Sequence, residues 1–405
     1  MYNKPTGGVE MKFNIIAQVE DDGEYVEALQ IELNQEYSCS MIDLDTFSVE
    51  ARNLKQDGEV FYEGNRKITD IYLSNEFGKK ENKGQYLFIE LEHGYQNNAS
   101  VSIYYNVVMK NGIWDFFNSY NLELQLNYTL KQNKPLSFNE DILETTYKQN
   151  KVVRPLADLF SYETTKSGLA YRQYVPTIEN ESHPLIIWFH GSGEGGQNNL
   201  SHIIANKGAV AFVKEDVQAL FKGAYVLAPQ CPYNWAVTKE GLEKINLPLV
   251  DDIKESPDYV PQVMDMIYEV CLKYPNIDQK RIYLAGCSAG ASMVWKVLLR
   301  DPEKFARVIP ICGPEISKEE LAKVVNVPIW MVHSKDDTTV PVEGSIQNKS
   351  YLDKLNGKAK LTLYENVSLN GNNYPGHWSW IYALNNLPQD QGISLFEWLS
   401  KQERK

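Results

Sequence analysis

No apolar run in this 405-residue sequence approaches the roughly 20 residues that a membrane-spanning helix requires. The amino terminus, MYNKPTGGVEMKF, has no apolar stretch resembling a secretion signal. There is no block of lysine or arginine, and the formal net charge is −13. That removes the basic footprint which nucleic acid or an anionic membrane surface demands of a partner, and leaves the acidity as a matter of solubility. Cysteine is sparse. Cys39, Cys231, Cys271, Cys287 and Cys312 are scattered without CxxC spacing, which argues against a disulfide framework and a structural zinc site. Such cysteines are expected to be small buried apolar groups.

What is abundant is aromatic. The chain holds 25 tyrosines and 8 tryptophans within a 43% hydrophobic composition, enough for a large core with rings to spare for a surface or pocket. Its length predicts two domains. From Met11 to Leu130 short segments alternate with period two: FNIIAQVE, YVEALQIEL, FSVEAR, ITDIYLS, GQYLFIELE, SVSIYYNVVM and LELQLNYTL. Gly, Asn and Asp turn signals separate them, and the pattern predicts an all-β immunoglobulin-like sandwich of about seven strands over residues 1–132. Its one histidine, His93, reads as structural. Residues 133–158 read as a linker and docking segment. From 159 to 405 the rhythm changes to nearly continuous apolar strands, such as PLIIWFHG, AYVLAPQ, RIYLAG and PIWMVHS, alternating with helical segments. That is the signature of an α/β domain, a doubly wound and mostly parallel sheet buried on both faces. Ligands of such sheets bind beyond the carboxyl ends of the strands.

At one of those ends stands Gly286-Cys287-Ser288-Ala289-Gly290, a G-x-S-x-G pentapeptide between the apolar strand RIYLA and an apolar-faced helix. Alone it is weak, since roughly one chain in ten of this length carries it by chance. The strand-to-helix setting is what the pattern requires of a nucleophile elbow. It places the serine at a helix amino terminus, where developing negative charge is favoured. A serine hydroxyl also needs a base. Of the six histidines, His183 and His202 sit in polar, loop-like segments, and His190 and His333 end strands, where they shape the site by packing or hydrogen bonding. His377 lies in the glycine-rich loop NNYPGHWSW after the last strand, and is the preferred base. The orienting carboxylate should follow the preceding strand, PIWMVHSKDDTTVP; the D-x-x-V-P spacing favours Asp337, with Asp336 as the alternative. The order Ser, Asp, His is that of α/β-hydrolases.

An oxyanion needs donors. One is the backbone N–H of Ala289; the second is expected from FHGSGEGG, with Ser192 first and Gly193 second. This loop lacks the Gly-Lys-Ser/Thr ending of a phosphate loop, and its glycines are not followed by the helix that a G-x-G-x-x-G dinucleotide turn opens. Glu194 either holds the loop or faces solvent. Trp235 and Trp378 are candidate pocket walls, and Trp380 reads as core. Cys287 should point into the core rather than serve as a nucleophile.

With these pieces in place, the segments YRQYVP, FHGSGEGGQNN, VLAPQCPYNW, NIDQKRIYLAGCSAG, VIPICG, VPIWMVHSKDDTTVPV and GHWSW resemble a family of secreted bacterial α/β-hydrolase esterases. That family is often labelled predicted peptidases and is related to feruloyl esterases and polyhydroxybutyrate depolymerases. In architecture the chain is most similar to its esterase A type, which carries an immunoglobulin-like domain ahead of the hydrolase. The resemblance covers residues 160–399 well and is architectural only before them. It implies Ser288 as nucleophile with Asp337 and His377 as partners, an ester substrate that is a small molecule or linked to a polysaccharide, no metal or organic cofactor, and an extracellular location. Many members read Leu-Ser-Met-Gly-Gly where this chain has Cys-Ser-Ala-Gly-Ala, and the small Ala289 leaves more room beside an acyl group. The amino-terminal domain is a candidate for shaping the cleft, for polymer binding or for homo-oligomer contacts. Competing expectations are a prolyl-oligopeptidase-type serine peptidase and a catalytically inert carbohydrate-binding or adhesion protein.

Overall fold

The computed structural model describes residues 10–38, 42–138, 141–143, 145–179, 182–238, 250 and 253–401. The first residues of the amino terminus and Cys39 lie outside the described residues. Contacts divide the chain into two units, one comprising Met1–Tyr104 with Leu122–Asp158, the other Tyr105–Asn121 with Leu159–Lys405.

The first unit is built from strands. In Phe47–Leu54 the side chains of Phe47, Val49 and Ala51 are buried while Glu50 and Arg52 face outward, the period-two pattern of a sheet with one packed face. This strand lies between Tyr128–Gln132 and Val60–Arg66, antiparallel to both. A second sheet runs Tyr147–Val153, Met11–Glu20, Gly23–Ser38, Lys83–Leu91, Ile68–Ser74. Apolar residues from both sheets, among them Ile15, Leu29, Ile31, Val49, Leu87, Ile89 and Leu130, make one core. Two differences from the sequence reading stand out. Val60–Arg66 is a strand that the alternation did not reveal, because it is an edge with only Arg66 buried. Tyr147–Val153, read as linker, is an edge strand parallel to Met11–Glu20. It is fastened at its end by Arg154, whose Nε meets both Glu24 oxygens at 3.0 and 2.9 Å.

The second unit carries an eight-stranded sheet in the order Ser161–Thr164, Ala170–Tyr174, Tyr225–Pro229, His183–Phe189, Ile277–Cys287, Arg307–Ile311, Ile329–Ser334, Ala359–Tyr364. The first two strands are antiparallel to their neighbours and the rest are parallel. Every residue of His183–Phe189, Tyr225–Pro229 and Ile329–Ser334 is buried, as strands covered on both faces must be. The covering helices bury one stripe each. In Val260–Lys273 the stripe is Val260, Val263, Met266, Ile267 and Val270. In Ala289–Arg300 it includes Met293, Val294, Val297 and Leu298. Parallel strands bring their carboxyl ends to one edge, and there Phe189 pairs with Gly286 and Cys287 with Ile311. The architecture is an α/β-hydrolase sheet preceded by a β-rich immunoglobulin-like domain.

Candidate active site

The strand Ile277–Cys287 ends at Ser288, which has φ 55° and ψ −120°, and the helix begins at Ala289. A non-glycine residue at positive φ is strained, and here the surroundings hold it. The Ser288 N–H donates to Ile311 O at 3.0 Å, and Ser288 O accepts from Ser292 N at 3.2 Å. The flanking glycines answer to crowding. A Cβ on Gly286 would stand 2.7 Å from Gly290 O, and one on Gly290 only 2.1 Å from Phe189 O. Strand, turn and helix press so closely that neither position has room for a side chain. Cys287 between them is fully buried, and burial raises its thiol well above the ordinary value.

Ser288 Oγ lies 2.9 Å from His377 Nε2, and His377 Nδ1 lies 2.7 Å from Asp337 Oδ2. A carboxylate only accepts, so Nδ1 carries the proton toward Asp337 and Nε2 is left to accept from the serine hydroxyl. Asp337 has a fully buried side chain, and His377 keeps only 12% of its side chain exposed. Burial by itself would raise the Asp337 pKa. Hydrogen bonds from His333 and His377, with the backbone N–H of Val340, overcome it and hold the carboxyl well below its usual range. Thr339 N and Val340 N both donate to Oδ1 at 2.8 Å. His333 Nε2 donates to Oδ2 at 3.1 Å while its Nδ1 accepts from Ser345 Oγ at 2.8 Å. Asp336 takes no part: it is exposed, and its Oδ1 accepts from Ser334 Oγ. A Cβ on Gly376 would meet Asp336 Oδ1 at 2.3 Å, so the glycine before His377 lets the two loops touch.

The loop after His183–Phe189 passes beside the serine; a Cβ on Gly191 would stand 3.8 Å from Ser288 Cβ. Ser192 opens a short 3-10 turn, Ser192–Glu194, and Ala289 opens the helix, so both offer early N–H groups without an acceptor in their own helix. Several side chains fasten this loop. Gln230 Nε2 donates to Glu194 O at 3.2 Å and to Asn198 Oδ1 at 2.9 Å, and Gln230 Oε1 accepts from Asn199 N at 2.6 Å. His190 Nδ1 donates to Gly191 O at 2.7 Å and its Nε2 accepts from Cys231 N at 2.9 Å. Burial lowers the His190 pKa to about 4, so the ring is neutral, as both bonds need. Glu194 is buried, with Asn206 Nδ2 2.6 Å from its Oε1. Burial pushes its carboxyl up to about 8, against a hydrogen bond at the Gly191 backbone.

The remaining candidates divide. Trp378 is half-buried, tilted against Tyr374 at 6.2 Å and Trp380 at 5.9 Å, and the Trp380 ring stands edge-on to His377 at 5.5 Å. Trp235 is 1% exposed and packs on Phe189, His190 and Tyr259, so it lies in the core beneath the loop and offers no wall to a ligand. His183 and His202, expected in polar loops, are buried; they bond Gly223 O and Ala228 O. Cys312 places its sulfur within 4.8 Å of the donor atoms of Asp337 and His377. Burial raises that thiol, so without a metal ion it packs there protonated. Sequence reasoning missed Gln230 and Asn206; it expected His333 to shape the site by packing or hydrogen bonding, without naming Asp337 as its partner. Gln230 stood in view within the VLAPQCPYNW segment, although nothing local marks its amide as the loop's anchor.

A hydroxyl, an imidazole and a carboxylate in one hydrogen-bonded row, beside N–H groups at a helix start, form an arrangement suited to acyl transfer. Comparison with known proteins agrees with that chemistry. Residues 12–144 match the family described as the esterase Ig-like N-terminal domain, and residues 172–371 match the phospholipase/carboxylesterase family. A solved structure, the crystal structure of a thermostable esterase, is 30% identical, with a TM-score of 0.80, covering 97% of this chain and 99% of that one. A bifunctional acetylxylan esterase/xylanase of Neocallimastix patriciarum is 32% identical over 102 residues, which are 24% of this chain and only 14% of that protein's length. The chain therefore belongs to the carboxylesterases that carry an immunoglobulin-like amino-terminal domain, and it is a carboxylic ester hydrolase.

Proposed function

We propose that this enzyme cleaves esters of short-chain or aromatic acids through an acyl-enzyme on Ser288. The observation that carries the reading is the row Ser288 Oγ, His377, Asp337 at 2.9 and 2.7 Å. His377 Nε2 takes the hydroxyl proton as Ser288 Oγ attacks the ester carbonyl. The buried, ionised Asp337 holds the imidazole in the tautomer that can accept it and stabilises the imidazolium that forms. The N–H groups of Ser192 and Ala289 receive the oxyanion. Imidazolium returns the proton to the departing alcohol, and a water deprotonated by the same nitrogen then releases the acid. The small Ala289 leaves space beside the acyl group, and the half-buried Trp378 gives an aromatic face next to His377. The stretch shared with a protein named an acetylxylan esterase/xylanase favours a short acyl group.

A fluorophosphonate probe should label Ser288, and Ser288→Ala should lower kcat on p-nitrophenyl acetate by roughly 10⁶. A folded wild-type protein that neither takes the probe nor cleaves the ester overturns this reading. A peptide p-nitroanilide run alongside separates ester from amide preference; faster turnover of the anilide would favour a peptidase.

A further inference from the structure

The chain leaves its first unit at Tyr104 and returns at Leu122, and the residues between, Tyr105–Asn121, belong to the hydrolase unit. This excursion is fastened onto the loop beside Ser288. Asn121 Nδ2 donates to Gly193 O at 3.0 Å, and Asn121 O accepts from Ser201 Oγ at 2.6 Å. Tyr120 Oη donates to Tyr233 O at 3.0 Å. The packing is close, and at Gly195 it leaves no room for a side chain. A Cβ on Gly193 would stand 3.3 Å from Tyr105 Cε2 and 3.4 Å from Asn121 Nδ2, and one on Gly195 would stand 2.7 Å from Tyr120 Cε1. Gly195 has φ −64°, a conformation open to any residue, so crowding and not backbone geometry demands the glycine.

The excursion has its own internal support. Ser119 Oγ accepts from Val108 N at 2.9 Å and from Trp114 Nε1 at 3.0 Å, and donates to Asp115 O at 2.8 Å. The fully buried Asp115 pairs with Lys110 at 2.9 Å. It is therefore a braced element able to hold another loop in place.

We propose that Asn121 is a positioning residue for the oxyanion loop, an inference that rests on the ester-hydrolysis reading above. The peptide between Gly193 and Glu194 is held from both sides. Its carbonyl accepts from Asn121, while its N–H, pointing the opposite way in a trans peptide, meets Gly191 O at 3.3 Å. Fixing that plane fixes the backbone on which the N–H groups of Ser192 and Gly193 turn. An oxyanion donor acts on charge that appears only in the transition state, so loosening it lowers kcat and spares KM.

The test is steady-state kinetics on p-nitrophenyl acetate with thermal denaturation of each variant. Asn121→Ala should lower kcat by about tenfold or more, within the roughly 100-fold that a misplacement near 1 Å can cost, with KM within about twofold. Asn121→Asp keeps the volume but turns an acceptor toward the Gly193 carbonyl, and should lose at least as much kcat. Ser201→Ala, a nearly isosteric change, covers the case in which Asn121 variants fail to fold; it should lower kcat about threefold with KM held. A kcat within twofold of wild type in the folded variants overturns the proposal, and so does a joint fall of kcat, affinity and melting temperature. Activity surviving in Ser288→Ala would instead overturn the ester-site reading itself.

Discussion

Two loops of the hydrolase unit each bury a carboxyl group, and they bring it to opposite states. The loop after Ile329–Ser334 surrounds Asp337 with four donors: two backbone N–H groups at 2.8 Å on Oδ1, and the imidazoles of His377 and His333 at 2.7 and 3.1 Å on Oδ2. Glu194, in the loop after His183–Phe189, has fewer: Asn206 Nδ2 and a hydrogen bond at the Gly191 backbone. Desolvation is the largest influence on both groups and pushes each carboxyl up. Four donors reverse it and keep Asp337 ionised, whereas the sparse shell of Glu194 leaves burial in command and the carboxyl neutral at pH 7. Burial pushes both carboxyls the same way, and the donors aimed at each decide whether that push is reversed. One loop keeps a charge beside an imidazole, and the other keeps an uncharged group bonded to Asn206 and to the Gly191 backbone.

The contrast is tested most severely at Asp337. Asp337→Asn leaves the shape but presents an amide to His377 Nδ1, which favours the wrong tautomer. kcat on p-nitrophenyl acetate should fall by about 10⁴, with KM little changed. Retention within tenfold of wild type would mean that the charge is dispensable. A smaller effect is expected one step out. His333→Leu removes one of the four donors and should lower kcat about tenfold, since a hydrogen bond to a charged group contributes roughly 1.5–3 kcal/mol. His333→Gln, able to donate from nearly the same place, should recover most of that loss. Equal kcat in the two variants would show that the second imidazole only fills space.

How much of this could be read from the sequence follows from where the information lies. Ser288, Asp337 and His377 each sit at a strand end in a short loop with its own local signature, and the parallel sheet does the rest by bringing strand ends together. Choosing Asp337 over Asp336 was a matter of spacing. In the structure contacts from elsewhere bring His377 to Asp337, while Asp336 accepts from Ser334 and Gly376 lets the histidine loop pass close to it. In the first unit, Phe47–Leu54 announces itself because one face is packed; Val60–Arg66 and Tyr147–Val153 are edges with polar side chains on much of both faces, so alternation is faint. The contacts of Tyr105–Asn121 with the loop beside Ser288 had no local trace. The first residues of that segment read as the end of one more strand of the sandwich, and only tertiary contact shows that a side chain at Gly195 would meet Tyr233 O and Tyr120. Trp235 misled for the opposite reason: an irregular loop suggests exposure, but the aromatic rings of Phe189 and Tyr259 enclose it.

The mildest expected effect concerns Glu194 and is one of stability against pH. Its carboxyl titrates near 4.5 when unfolded and is pushed up to about 8 in the fold by burial. Between those values the folded state holds a proton that the unfolded state has released, so stability falls as pH rises. The contribution is fully present below about 4.5 and is lost on passing through about 8, with a slope of at most about 1.4 kcal/mol per pH unit. The groups that face it do not cancel this trend: Asn206 is uncharged, and the Cys287 thiol, itself raised by burial, stays protonated across the window. Glu194→Gln keeps an oxygen for the Asn206 amide and removes the titration. The melting temperature of this variant relative to wild type should therefore climb between pH 5 and pH 8.5 by at most roughly 8–16 °C, at about 2–4 °C per kcal/mol. Melting curves that run parallel across that range would show that Glu194 is ionised in the fold, and that its loop supplies donors as effectively as the loop around Asp337.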